Sequence, residues 1–89
     1  MNMQPRFETT RETAMIRKIL AELVRTVQLI ESDIAAEEER AKVSDRSDAK
    51  YPMLARTLIE RRDNLELTIA ALEQRLTERG QHEQIATAA

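Results

Sequence analysis

Two segments of the chain repeat apolar residues at alternating steps of three and four, and this repeat limits the fold more than any other feature. The first run is Ile16, Leu20, Leu23, Val27, Ile30 and Ile34, with Glu37 in the next slot and Ala41 one heptad beyond Ile34. The second run is Ala55, Leu58, Arg62, Leu65, Ile69, Leu72 and Leu76. A mean step of ~3.5 residues keeps one narrow stripe facing a neighbouring helix. Ile19 widens the first stripe at its N-terminal end. Sheets favour aromatic and β-branched residues bounded by turn signals. This chain has only Phe7 and Tyr51 as aromatics, one Gly and two Pro. The expected fold class is therefore all-α.

The helix limits follow from local signals. Thr9 and Glu12 have the spacing of a capping box, with Thr10 as the next candidate cap, so helix one is expected at about residues 10–43. Such a helix is roughly 50 Å long. Pro52 suits a first helical turn and Gly80 suits a stop, which places helix two at about 52–79. The intervening residues 44–51 read "SDRSDAKY", whose Ser and Asp side chains favour turns. Residues 1–8 and 80–89 are expected to be flexible ends of a single domain at 9–79.

A short connection between long helices makes them antiparallel neighbours. Folding the chain at Ser47 and Asp48 makes facing residue numbers sum to about 95. That register brings Arg62 level with Asp33 and near Glu37. Arg62, charged but inside the seam, is expected to pair with one of them and set the register. The rival reading is an Arg62 that keeps its stem in the seam and snorkels outward. A lone hairpin covers each stripe on one side only, so two hairpins are expected to form a four-helix bundle of coiled-coil type, most simply a homodimer. Val24 and Ile59 flank the stripes and are candidates for the dimer core. Leu29 and Leu67 lie on outer faces, either as ordinary scattered surface leucines or as candidates for self-association or partner contact, and Tyr51 at the hairpin tip is expected to pack over the end of the bundle, with a partner contact as the alternative.

Chemistry is constrained mainly by what is missing. There is no cysteine, and the single histidine, His82, lies beyond Gly80. Glu37, Glu38 and Glu39 are consecutive, so they fan over about 200° of helix surface and do not converge on a metal. One glycine is too few for a phosphate-cradling loop. No cofactor, metal or catalytic residue is expected, and the chain is not expected to be an enzyme. The apolar fraction of 42% with 34% charged residues contains no run approaching the ~20 apolar residues of a membrane span. The start "MNMQPRFETT" lacks a signal-like apolar core, so a cytoplasmic location is expected.

No motif identifies a family. The reading that remains is a small protein–protein interaction module (an adaptor, regulator or assembly subunit) acting through a helix face or the hairpin tip. The alternative is a small nucleic-acid-binding regulator using the arginine face of helix two, where Arg56, Arg61 and Arg62 lie near Lys50. A net charge of −2 and the lack of an aromatic stacking platform disfavour it.

Overall fold

A computed structural model of the chain describes the backbone of residues 3–88 and the side chains of residues 10–80. Helix α1 spans Met3–Ala41 and helix α2 spans Met53–Ala88. The two pack against each other, and the described residues contain no strand. At ~1.5 Å per residue the 39 residues of α1 measure ~58 Å. The whole molecule measures 63 × 18 × 13 Å, the shape of two helices lying side by side. The expected all-α hairpin is present.

The ends of the helices differ from expectation. Helix α1 starts at Met3, so Thr9 is an internal position rather than a cap. Helix α2 does not stop at Arg79; it runs through Gly80, which has no positive φ. The segments expected to be free ends thus belong in backbone to the helices over 3–8 and 80–88, while the side chains of 1–9 and 81–89 lie outside the described residues. Both signals were local and weak. A cap or a glycine shifts helix stability by only ~1 kcal/mol.

The true stop of α1 is made by backbone geometry. Lys42 takes a left-handed conformation with φ of 60°. Its amide donates to the Glu39 carbonyl, and the Val43 amide donates to the Glu38 carbonyl, both at 3.2 Å. This is the Schellman pattern, which satisfies two of the carbonyls that a helix end leaves open. Two turns in tandem follow. The Asp48 amide donates to the Asp45 carbonyl, and the Tyr51 amide donates to the Asp48 carbonyl. Each turn opens with an aspartate whose side chain accepts the amide two residues on, Ser47 for Asp45 and Lys50 for Asp48. Short polar side chains hold turns in this way. Helix α2 then begins with the Arg56 amide donating to the Pro52 carbonyl.

Two bonds mark the register, one from the linker to α1 and one between the helices. Tyr51 meets Glu38 and Arg79 meets Glu12, so facing residue numbers sum to about 90 rather than 95. The difference of about five residues is ~7 Å along the axis. It arises because the tandem turns bring the chain back below the end of α1. Met53 then starts α2 level with about residue 37, and α1 overhangs by about one turn. The burial pattern agrees. Ala55 is 0% exposed, and this register sets it level with the buried Ile34.

The core is thin. Ile16, Val27, Ile30 and Ile34 are buried on α1, together with Tyr51 and Ala55. From Leu58 to Leu76 the second seam is only half-buried throughout. One layer of side chains separates the helices, and nothing covers its outer sides.

Lys42 and Gly80 generate a pair of predictions. A left-handed backbone costs a non-glycine residue ~1 kcal/mol, and glycine inside a helix costs a similar amount against alanine. A Cβ on Gly80 would meet nothing within 4 Å. Both Lys42→Gly and Gly80→Ala should therefore stabilise the fold by ~0.5–1 kcal/mol, read as a higher midpoint in urea. A Gly80 acting as a helix stop would give the opposite sign for Gly80→Ala.

Candidate interaction surface

Tyr51 ties the tip together. It is 4% exposed, although it sits in the linker. Its hydroxyl donates to Glu38 Oε2 of α1 at 2.6 Å. The Arg56 guanidinium of α2 lies over its ring, 5.2 Å from the centroid, within range of a cation–π contact. Arg56 Nη2 also donates to the Asp48 carbonyl in the second turn at 3.2 Å. One ring therefore joins the end of α1, the linker and the start of α2. As a candidate partner contact, Tyr51 offers little of its own surface; what faces outward at the tip is the exposed loop around it.

Charge at the tip is largely used locally. Glu37 pairs with Arg40, and Glu39 pairs with Lys42 at 2.6 Å. The Asp45 carboxyl is held below its usual range, first by the Ser47 hydroxyl and then by the Ser47 amide. The Tyr51 phenol is pushed up, first because its proton is engaged by Glu38, then by burial and by the negative charge of Glu38; Arg46 acts in the opposite direction.

The expected pairing of Arg62 with Asp33 or Glu37 does not form. Arg62 Nε and Nη2 donate instead to Oδ1 of the adjacent Asp63, at 3.2 and 3.1 Å. Glu37 is engaged by Arg40, and Asp33 is exposed. The register is the cause. Arg62 lies level with about residue 28, so Asp33 is about five residues, ~7 Å, further along. The Arg62 side chain is 19% exposed, its stem held in the half-buried seam while its head turns to Asp63. This is the snorkelling arrangement. Among the described residues no ion pair joins the acidic end of α1 to the basic start of α2; the Tyr51 hydroxyl bonds to Glu38, and Arg56 lies over the Tyr51 ring.

The other candidates lie on different sides of the hairpin. Leu29 and Leu67 are 61% and 71% exposed. The observed register sets them more than a turn apart along the axis, not at one level. Val24 is exposed and Ile59 is half-buried, each beside its seam. Pattern reading did not single out Met15, Met53 or Leu54, which are also exposed. Their signal was present as apolar residues off the main stripe, but off-stripe apolar residues are common on any surface. Among the described residues no group of three or more acidic or histidine side chains converges to hold a metal, and no helix is long and apolar enough to cross a membrane.

Tyr51 is the chain's one tyrosine, which makes its titration directly visible. Phenolate absorbance should rise at a midpoint above pH 10.0. A raised pKa in the folded state adds stability that is complete below the unfolded value, ~10, and is lost as pH climbs through the folded value. Tyr51→Phe should therefore melt a few degrees below the parent at pH 7, with the gap closing in strong base. Tyr51→Ala, which also removes the ring under Arg56, should melt lower still.

No protein-family model, no curated protein and no solved structure matches this chain.

Proposed function

We propose that the chain is a helical protein–protein interaction module whose first partner is a second copy of itself, the two hairpins closing into a four-helix bundle. The observation that carries this reading is the seam itself. From Leu58 to Leu76 the apolar stripe of α2 is only half-buried against α1. Burial of apolar surface is the main favourable term in association, and a second hairpin laid on the open seam supplies it.

In this role the chain acts as an adaptor, regulator or assembly subunit. The bundle presents helix faces and two tips whose loops are shaped by Asp45 and Asp48. Arg56 and Arg62 are engaged within the chain, which leaves Arg61 and Lys50 as the open cations of the group considered for nucleic acid.

Sedimentation equilibrium tests the reading. Two chains per particle are expected, twice 10.3 kDa. A single-chain mass at about millimolar protein would remove self-association. Salt-sensitive retention on nucleic acid would move the assignment to the arginine face.

A further inference from the structure

Arg62 divides the seam into two blocks. It lies level with about residue 28, and its head turns out to Asp63. The block toward the tip holds Val27, Ile30, Ile34, Tyr51 and Ala55, all buried, with Leu58 half-buried beside them and the Tyr51–Glu38 bond closing the end. In the far block Ile16 is the one buried side chain among the described residues. Leu20, Leu23 and the α2 stripe from Leu65 to Leu76 are half-buried. Three features weaken the far block further. Thr13 falls on the seam one heptad before Leu20, and its hydroxyl oxygen is buried without a partner. Thr26, Thr57, Thr68 and Thr77 each donate to the carbonyl four residues back, a bond that Thr13 does not make. A buried hydroxyl left unpaired costs stability. Gly80 sits inside α2, where glycine disfavours helix. The Arg79–Glu12 ion pair is partly open to water, where such pairs contribute little.

We infer that the hairpin has a built-in open state, in which the helices part over residues 13–23 of α1 and 65–79 of α2 while the tip block stays packed. Proteins open locally in contiguous units, and the unit with the fewest buried apolar contacts opens at the lowest free energy. The two arms open as one unit, because each stripe in the far block is covered only by the other. Tyr51, bonded to Glu38 and lying under Arg56, keeps the arms in register while they are apart. They therefore reclose without a new search for alignment. Opening is a property of the single chain and does not rest on the self-association proposed above.

Backbone amide hydrogen exchange on the full chain, read residue by residue at one protein concentration, tests this. In the unaltered chain the amides of residues 14–23 and 66–79 should exchange faster than those of 27–38 and 57–62, and with one common protection on both helices. Thr13→Val keeps the side-chain shape and removes the unpaired hydroxyl. It should slow exchange about tenfold at residues 14–23 and by the same factor at 66–79 on the opposite helix. Ile34→Val removes one methylene from the tip block. It should speed exchange about fivefold at the tip and leave the far block unchanged, since the tip stays packed in the open state. Equal protection in the two blocks of the unaltered chain would overturn the inference. So would an Ile34→Val effect of equal size in both blocks, which would make the seam a single unit. A Thr13→Val effect confined to α1 would mean that each helix frays by itself, and would overturn it as well.

Discussion

Every feature of this molecule depends on a single contact, the seam where α1 and α2 lie against each other. A two-helix hairpin has no interior in the usual sense. Each side chain in the seam is covered by its own helix and by the one opposite, and by nothing else. That is why, among the described side chains, only Ile16, Val27, Ile30 and Ile34 are buried on α1, and why the seam leucines of α2 remain half-covered. Two bonds hold the seam near its ends, Tyr51 of the linker with Glu38 of α1, and Arg79 with Glu12 between the helices. The first lies beneath a buried ring and the second is a more exposed ion pair, so the tip is the firmer end.

The linker does more than reverse the chain. A left-handed residue stops α1, two aspartate-led turns carry the backbone over the tip, and Tyr51 closes onto Glu38. The result is asymmetric: α2 starts below the end of α1. That offset decides which charges face each other. It takes Arg62 away from Asp33 and brings Arg56 over Tyr51. Register in a hairpin of this kind is set by the loop, and the charges settle into what the loop allows.

The stripes were legible in the sequence because burial recurs along the whole of each seam and the period averages out local noise. The turn region was legible because Ser, Asp and Pro have few other uses at such density. The register was not. It depends on the φ angle of Lys42, a residue type with no preference for a left-handed backbone, and an error of about five residues moves every predicted cross-helix pair. The helix ends were not legible either, since the Thr9 box and Gly80 each carry too little energy to end a helix that its neighbours favour continuing. Among the candidate surface residues, Val24, Leu29, Ile59 and Leu67 were visible as apolar positions off the stripe. The side of the hairpin each one occupies follows only once the two helices are placed antiparallel.

The offset and the hairpin topology have a mechanical consequence. Met3 begins α1 level with about residue 87, so both helix ends emerge at one pole, some 60 Å from the tip. A load applied between those ends meets the seam one turn at a time instead of shearing it all at once. Of the two bonds described, the Arg79–Glu12 pair takes the load before the ring of Tyr51, held between Glu38 and Arg56. The molecule is built like a zipper with its stop at the far end, compliant where anything joined to it would pull and closed where the chain turns.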